Sequence, residues 1–217
     1  MLDPKLILIE GLPGSGKSTT MEYLAKLYRT HGQECHAYLE EDPANPIDCL
    51  NFALNGLPER MLPLWTRLAA QMSDQPAVTI IESRLWQNTA MYMYMGGCKA
   101  EEVLQFSQQV WQAISGLSPV LIYLDQDDTE AALRRLFVMR GSQWVQWALD
   151  ETLSYAWFQA RGLKDFEGWV QFFEEWRDME DELFRAWPGR KIRVLNAHED
   201  WPGRYGELGK FLEIQNN

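Results

Sequence analysis

The sequence predicts an α/β fold in which an open, parallel β-sheet is covered by helices on both faces. Five apolar runs of four to six residues punctuate the chain without strict polar alternation, and such runs are typical of strands buried on both faces. They cover residues 5–10, 35–39, 77–82, 120–125 and 191–195. Helical patterns lie between the runs, and this alternation favours a parallel sheet. A glycine-rich turn directly after the first run is the third observation.

The helical segments between the runs have recognisable starts and ends. The clearest patterns cover residues 18–30, 100–114 and 129–139. The first carries an apolar stripe and stops before Gly32, a residue type that commonly ends helices. The third follows Asp127 and contains Glu130, and this spacing predicts a start that resembles a capping box.

The length of 217 residues predicts one domain, 1–217, with additional helical material. Two segments exceed what a simple crossover needs, one over about 42–76 and the other over about 141–188. The second contains a long helical pattern with aromatic residues on one side and acidic residues on the other. The acidic side is typical of a helix face exposed to solvent. Seven of the ten tryptophans lie beyond residue 140, so this segment is predicted to form either core or the lid of a pocket.

Composition and charge exclude several classes of partner. The chain has 20 basic and 31 acidic side chains, a net charge of −11, and lacks the broad basic surface that binds a nucleic-acid backbone or an anionic membrane. Cys35, Cys49 and Cys98 have no regular spacing, which argues against a disulfide framework or a zinc site. No apolar stretch is long enough to span a membrane, and residues 1–10 lack the long apolar core of a signal peptide. We expect a cytoplasmic protein with neither nucleic acid nor membrane as its partner.

The strongest functional signal is the glycine-rich turn between the first strand and the first helix. From Gly11 to Ser18 it reads Gly-Leu-Pro-Gly-Ser-Gly-Lys-Ser and matches the phosphate-loop pattern G-x-x-x-x-G-K-[ST] at every fixed position. Glycines let successive backbone N–H groups point at phosphate oxygens, and the following helix adds its positive N-terminal end. The Lys17 ammonium can reach the β- and γ-phosphates, and the Ser18 hydroxyl can hold Mg²⁺. The residues expected to bind the nucleotide are Gly11, Pro13, Gly14, Ser15, Gly16, Lys17, Ser18 and Thr19.

Two predicted strands end in a carboxylate that could complete the Mg²⁺ site. Glu82 ends the third run and Asp125 ends the fourth. An acid at the carboxyl edge of a strand near the phosphate loop is what a second Mg²⁺ partner requires. The pattern alone does not decide which of the two acids would hold Mg²⁺. For each of them the alternative role is a helix cap or a surface acid.

Three consecutive acids, Glu40, Glu41 and Asp42, follow the second run directly before Pro43. Placing three carboxylates together costs free energy through like-charge repulsion. A surface turn would tolerate such a cluster, whereas a general base for a hydroxyl proton, or a water-mediated Mg²⁺ site, would use it. Both interpretations stay open at this point.

Arg134, Arg135 and Arg140 form a local basic patch in an acidic protein. Phosphoryl transfer spreads negative charge over equatorial oxygens, which arginines stabilise. The alternative is pairing with acids at the start of the same helix, such as Glu130. We expect at least one of the three arginines to act on the phosphates.

The loop, the acids and the arginines together resemble those of the P-loop small-molecule kinases, the superfamily of nucleoside monophosphate, deoxynucleoside and thymidylate kinases. In that group an acid precedes a proline after the second strand, and an acid with an arginine close behind ends the third. Here these are Asp42-Pro43 and Glu82-Ser83-Arg84. Thymidylate and deoxynucleoside kinases have the second acid and the arginine adjacent, whereas Ser83 separates them here. The resemblance implies a three-layer P-loop NTPase fold with sheet order 2-3-1-4-5 and helical insertions.

The resemblance also implies ATP- and Mg²⁺-dependent transfer of the γ-phosphate to a small metabolite. Lys17 would hold the β- and γ-phosphates, while Ser18 and Glu82 would hold Mg²⁺. In the implied sheet order the third strand lies beside the phosphate-loop strand, which favours Glu82 over Asp125.

The remaining roles follow from the same resemblance. Arg134 or Arg140 lies in the run that resembles the mobile lid of these kinases and would close on the transferring group. Glu40 or Asp42 would position or deprotonate the acceptor.

The acceptor is the least determined part of the prediction. The three acids favour a hydroxyl, as in a nucleoside, a sugar or an antibiotic-like molecule, because a hydroxyl benefits from a carboxylate. Arg84 favours a phosphate acceptor such as a nucleoside monophosphate. The alternative function is a nucleotide-dependent ATPase or switch that acts on a protein partner through residues 141–188. The acceptor-side segment offers a mainly apolar set, Phe52, Leu54, Met61 and Trp65, and the sequence gives no oligomeric state.

Overall fold

The computed structural model describes residues 4–48 and 56–214. Within them, five parallel strands form one sheet in the order β2-β3-β1-β4-β5, which confirms the order that the resemblance implies. The strands are β1 (Leu6–Gly11), β2 (Cys35–Tyr38), β3 (Val78–Glu82), β4 (Val120–Asp125) and β5 (Arg190–Leu195). Their bounds agree with the predicted apolar runs to within one residue at each end.

Burial along the strands follows their position in the sheet. The three central strands β1, β3 and β4 are buried along their whole length, whereas the edge strands β2 and β5 are mostly half-buried. Helices cover both faces of the central strands, so neither face meets water. This explains why the sequences of these strands are continuously apolar.

Helices connect the strands. They are α1 (Lys17–Thr30), α2 (Leu57–Met72), a π-helical turn (Trp86–Ala90) that continues into α3 (Met91–Met95), α4 (Ala100–Ile114), α5 (Thr129–Arg140), α6 (Ser142–Thr152), α7 (Ala156–Arg161), α8 (Phe166–Ala186) and α9 (Trp201–Phe211). The predicted cap of the third helical pattern is wrong by one residue. The Asp128 carboxylate, not that of Asp127, accepts the Ala131 N–H at 2.8 Å and begins α5. Asp127 instead accepts the Asn196 side-chain amide at 2.9 Å, because the chain after β5 lies beside this turn.

Two hydrophobic cores lie on opposite faces of the sheet. Along β1, Leu6 and Leu8 point into one core and Ile7 and Ile9 into the other. The smaller core is covered by α1 and α9, and the larger by α2, α4 and α8. Six tryptophans belong to the larger core: Trp65, Trp86, Trp157, Trp169, Trp176 and Trp187. Most of the aromatic side of the 141–188 segment is therefore core, while Trp147 is 58% exposed.

The two long connections contain helices in the part of the chain that the structure describes. Residues 42–76 contain α2, whose Met61 and Trp65 are fully buried. Phe52 and Leu54, expected to line an acceptor pocket, lie outside the described residues. Residues 141–188 contain α6, α7 and α8. No helix among the described residues is both long and apolar enough to cross a membrane.

Candidate active site

The phosphate loop turns from the end of β1 into the start of α1. Gly11 and Gly16 adopt φ values of 143° and 94°, in the region that favours glycine. A Cβ atom on Gly11 would lie 2.3 Å from the Leu124 carbonyl oxygen. A Cβ atom on Gly16 would lie 2.2 Å from Cη2 of Trp201, because that indole rests against the loop. The glycines of the motif are thus required by contacts inside this protein, as well as by the space that phosphates need.

Lys17 is held at the mouth of this loop. Its side chain is almost fully buried, and Nζ donates to the carbonyl oxygens of Gly11 and Leu12 at 2.8 Å each. Two of the three ammonium hydrogens are thereby directed by the loop itself. The other predicted phosphate-loop residues differ in exposure: Ser15 is buried, Pro13 half-buried, and Gly14, Ser18 and Thr19 exposed.

Ser18 and Glu82 come together in the structure. Ser18 Oγ donates a hydrogen bond of 3.0 Å to Glu82 Oε1, and burial raises the pKa of the Glu82 carboxyl. Lys17 and this hydrogen bond both oppose that rise. Glu82 Oε2 is buried and accepts no hydrogen bond from the described residues. A hydroxyl beside a carboxylate with an unused oxygen fits Mg²⁺, which takes oxygen ligands and keeps several waters.

Asp125 has different partners. It accepts a two-point ion pair from Arg177 of α8, with Nε–Oδ1 at 2.8 Å and Nη2–Oδ2 at 3.2 Å. Arg193 of β5 adds a contact of 3.5 Å to Oδ2. Since β3 and β4 both flank β1, sheet order alone does not separate Glu82 from Asp125. The hydrogen bonds differ, because both oxygens of Asp125 pair with arginines of α8 and β5, whereas Glu82 Oε2 accepts no hydrogen bond from the described residues.

Of the three consecutive acids, the structure brings Glu40 to this site. Its backbone N–H donates to Glu82 Oε1 at 3.1 Å, and its carboxylate Oε2 accepts the Gln87 side-chain amide at 3.0 Å. Asp42 instead accepts the backbone N–H of Ala44 at 2.8 Å within a turn, and Glu41 is exposed. Asp42 therefore matches the surface-turn interpretation, and Glu40 is the acid that contacts the Glu82 site.

Ser83 does not keep Arg84 out of the site. Ser83 has φ 62°, a left-handed conformation that is uncommon outside glycine and costs about 1–3 kcal/mol. This turn lets Glu82 and Arg84, on either side of it, both contact Glu40. The Arg84 guanidinium is fully buried and donates to the Glu40 carbonyl oxygen.

The three arginines of the predicted basic patch have protein partners on or near α5. Arg134 pairs with Glu130 at 2.6 Å, as the alternative interpretation expected. Arg135 donates to the Gln126 side chain at 2.7 Å, and the Arg140 guanidinium lies over Trp144. The contact from α5 to the phosphate loop is apolar, since Leu136 lies 3.4 Å from where a Gly14 Cβ would be.

Sequence reasoning missed two fully buried acids, one in β1 and one in α8. Glu10, in β1, is fully buried and accepts the backbone N–H groups of Leu85 and Gln87 at 2.8 and 3.2 Å. Burial raises the pKa of Glu10 to about 7. Glu180, in α8, is also fully buried, and burial raises its pKa to about 8. The signal for Glu180 was its position four residues after Trp176 and four before Phe184, on the aromatic side of the helix.

Comparisons with known proteins show which solved structures share this fold. No family model matches the chain, and no curated protein matches its sequence. Thymidylate kinase from Ehrlichia chaffeensis is similar with a TM-score of 0.52 at 14% identity, over 95% of this chain and 97% of that one. Deoxyadenosine kinase from M. mycoides with bound dCTP gives 0.51 at 17%, over 97% and 100%. YorR from Bacillus subtilis, in complex with phosphorylated GDP, gives 0.52 at 13%, over 98% and 99%. The chain has the fold of the P-loop small-molecule kinase superfamily, as the sequence predicts.

Proposed function

We propose that this protein is an ATP- and Mg²⁺-dependent phosphotransferase that moves the γ-phosphate to a small metabolite, with a hydroxyl acceptor favoured. The observation that carries the proposal is one chain of contacts. Ser18 of the phosphate loop donates to Glu82, and Glu82 accepts the backbone N–H of Glu40. Two hydrogen bonds therefore join the residues suited to phosphate and metal with an acid suited to an acceptor.

The nucleotide half of the reaction rests on the phosphate loop. The backbone N–H groups between Gly11 and Ser18 would bind phosphate oxygens, and Lys17 would leave its loop carbonyls for the β- and γ-phosphates. Ser18 and Glu82 would hold Mg²⁺, with Glu82 acting directly or through water. When bound, Mg²⁺ would neutralise the charge that develops between the β- and γ-phosphates.

The acceptor half rests on Glu40. Its Oε2 is fixed by the Gln87 amide, which orients the carboxylate without neutralising it. A fixed carboxylate can accept the proton of an attacking hydroxyl, a role that typically contributes about 10²–10⁴-fold to rate. The neighbouring Arg84 is directed at the Glu40 backbone carbonyl, which leaves the carboxylate as the group that distinguishes a hydroxyl from a phosphate acceptor.

Arg134 and Arg140 would contribute if the α5–α6 region moved toward the phosphates. Arg134 would have to exchange its pair with Glu130, and such an exposed pair is worth only about 0–1 kcal/mol. This exchange is thermodynamically accessible when a triphosphate offers a stronger partner.

A nucleotide-dependent switch that acts on a protein partner is the second candidate function. The observation that favours it is the exposure of large apolar side chains at α5 and α6, 87% for Val138, 70% for Met139 and 58% for Trp147. Large apolar side chains that are exposed together in one region of the surface often mark interaction sites.

The test is formation of ADP from MgATP with panels of nucleosides, nucleoside monophosphates, sugars and antibiotics. We expect one class of hydroxyl compound to stimulate ADP formation. The Glu40→Gln protein should still bind ATP, but its acceptor-stimulated rate should be lower by about 10²-fold or more. Lys17→Ala should abolish ATP binding, whereas Lys26→Ala, at an exposed position on the same helix, should not.

Hydrolysis that responds to a protein partner and to no small molecule would favour the switch. Normal turnover by Lys17→Ala would refute the nucleotide site.

A further inference from the structure

Glu10 of β1 is a fully buried acid that has no direct part in the proposed reaction. Its two carboxyl oxygens accept backbone N–H groups from the segment that follows β3, Oε1 from Leu85 at 2.8 Å and Oε2 from Gln87 at 3.2 Å. The first N–H groups of a helix have no acceptor within it, so an acid that accepts them stabilises the start of the helix. Glu10 therefore ties the start of this helical segment to the central strand of the sheet.

The segment that Glu10 holds begins as the π-helical turn Trp86–Ala90. Its hydrogen bonds join residues that are five apart, as when the Ala90 N–H donates to the Leu85 carbonyl oxygen at 3.1 Å. Such turns are rare and are frequently found at functional sites. One residue of an α-helix turns the chain by about 100°, so a return of this turn to α-helical bonds would rotate Gln87 by about that angle relative to α3.

Gln87 connects the π-helical turn to the acid of the proposed acceptor site. Its side-chain amide donates to Glu40 Oε2 at 3.0 Å, while its Oε1 atom is buried and accepts no hydrogen bond from the described residues. Because the amide is held by this one bond, the position of the Gln87 backbone decides whether the bond forms. Gln87 is almost fully buried, whereas Glu40 is half-buried and keeps a surface that an acceptor can reach.

We propose that Glu10 is a positioning residue for Glu40, and that it acts through the backbone of the π-helical turn and then through the Gln87 amide. The proposal rests on the proposed function, in which Glu40 takes the proton of the acceptor. Every step between the two acids is a hydrogen bond, with lengths of 2.8 and 3.2 Å at Glu10 and 3.0 Å at Glu40. While the turn keeps its place, the Glu40 carboxylate is held in one orientation, so the reaction does not have to order it.

The first measurement tests the positioning itself and needs no acceptor. In the ¹⁵N-labelled full-length protein, the side-chain amide signal of Gln87 is identified by its loss in Gln87→Ala. We expect Glu40→Gln to shift this signal because it removes the charged acceptor, and Glu10→Gln to shift it because one of the two bonds to the turn is lost. The spectra are recorded at pH 8, where Glu10 is mostly ionised, since burial raises its pKa to about 7. Glu22→Gln, at an exposed position of α1, should leave the signal unchanged.

The second measurement asks whether the positioning reaches the reaction. ADP formation from MgATP is followed at pH 8 with the compound of the panel above that stimulates it most. We expect Glu10→Gln and Gln87→Ala each to lower this rate roughly tenfold, which is less than the loss of the base itself, with the Kd of MgADP within about twofold of wild type. The double variant should be no slower than Gln87→Ala alone, because Glu10 acts through Gln87. A general loss of stability would instead lower the rate by the same factor in both backgrounds.

Two outcomes would overturn the proposal: a Gln87 amide signal that Glu10→Gln does not shift, or rate losses that multiply in the double variant. If Glu10→Gln fails to fold, Glu10→Asp takes its place with the same expected changes, because it keeps the charge but withdraws the carboxylate by one methylene. Failure of the proposed function looks different. In that case Glu40→Gln leaves ADP formation unchanged, or no compound stimulates it, while the Gln87 signal still responds to Glu10→Gln. Glu10 would then hold the turn without any part in catalysis.

Discussion

Gly16 has two independent reasons to be glycine, and they can be separated experimentally. Its φ of 94° is strained for any residue with a Cβ atom, and the Trp201 ring fills the space where that atom would lie. We expect Gly16→Ala to lower stability by roughly 1–3 kcal/mol, since the indole must move as well, and to weaken nucleotide binding at least tenfold. Thermal melting with and without MgADP measures both effects.

Gly32 provides the matched control for this prediction. It also has a positive φ, 74°, but no atom lies within 4 Å of where its Cβ would be. Gly32→Ala should therefore show the conformational cost alone, about 1 kcal/mol, with unchanged nucleotide affinity. Wild-type MgADP affinity in Gly16→Ala would show that the packing of Trp201 on the loop is not needed for the site.

The individual residues that sequence reasoning found were those within a local pattern. The phosphate loop is a contiguous motif, and Glu82 ends an apolar run, so each is visible without the fold. Glu180 lies in an acidic stretch that hides its position on the aromatic side of the helical pattern, and the packing of α8 against the sheet turns that side inward. The partners of Asp125 were likewise hidden from sequence reasoning, because Arg177 of α8 and Arg193 of β5 are more than 50 residues away in sequence.

At the scale of elements, α8 and the end of β4 are joined by the Asp125 ion pair. Asp125→Asn would leave Arg177 without its partner, and breaking a buried pair in this way costs on the order of 3 kcal/mol. We expect this variant to unfold at lower denaturant yet keep its Mg²⁺ dependence in nucleotide binding. Glu82→Gln should do the opposite, with near-normal unfolding and weakened Mg²⁺ dependence. If Asp125→Asn were the variant that lost the Mg²⁺ response, the assignment of Glu82 as the metal acid would be wrong.

The aromatic face of α8 supports a second prediction at this scale. Trp176 is fully buried against Tyr94, and truncating a buried tryptophan to alanine typically costs about 3–5 kcal/mol. We expect a loss of this size for Trp176→Ala in urea denaturation. Trp147→Ala, in the same segment but 58% exposed, should change stability by about 0.5 kcal/mol or less. A comparable loss for both would contradict the core assignment of the helix.

Elements were the level at which the sequence was most informative. The apolar runs, their spacing and the motif after the first run are enough to place five strands, while their order in the sheet came from the resemblance to the P-loop small-molecule kinases. The cap of α5 was wrong because Asp127 and Asp128 are equivalent by pattern, and only the position of Asn196 after β5 assigns them different partners. The lid arginines are a similar case, since a helical pattern alone does not decide whether a guanidinium faces phosphates or a neighbouring acid.

For the whole molecule, buried acids predict an unusual dependence of stability on pH. Burial raises the pKa of Glu10 to about 7, that of Glu180 to about 8, and that of Glu82 above its usual value. The folded protein then holds protons that the unfolded chain releases, so the free energy of unfolding falls as pH rises from about 4.5 to about 8. We expect the melting temperature to be highest in mildly acidic solution, with a loss of a few kcal/mol by pH 8.

A double variant, Glu10→Gln with Glu180→Gln, tests the cause of this dependence. Because neither glutamine titrates, the melting temperature of this variant should change less between pH 5 and 8 than that of the wild type. The variant Glu174→Gln with Asp178→Asn replaces the same number of acids at exposed positions of α8 and should leave the slope in place. Stability of the wild type that is constant or rises over this interval would contradict the assignment of buried, protonated acids.

The indole of Trp201 against Gly16 gives the molecule a built-in optical reporter. Six of the ten tryptophans are buried in the larger core, where their emission should vary little while the fold is intact. Trp201 is only half-buried, and it stacks with Tyr205, which stacks in turn on Tyr23 of α1. A rearrangement of the loop would alter the polarity and the ring contacts around this indole. Steady-state and stopped-flow fluorescence of the unlabelled protein can therefore follow the loop in real time, with Trp201→Phe identifying the source of the signal.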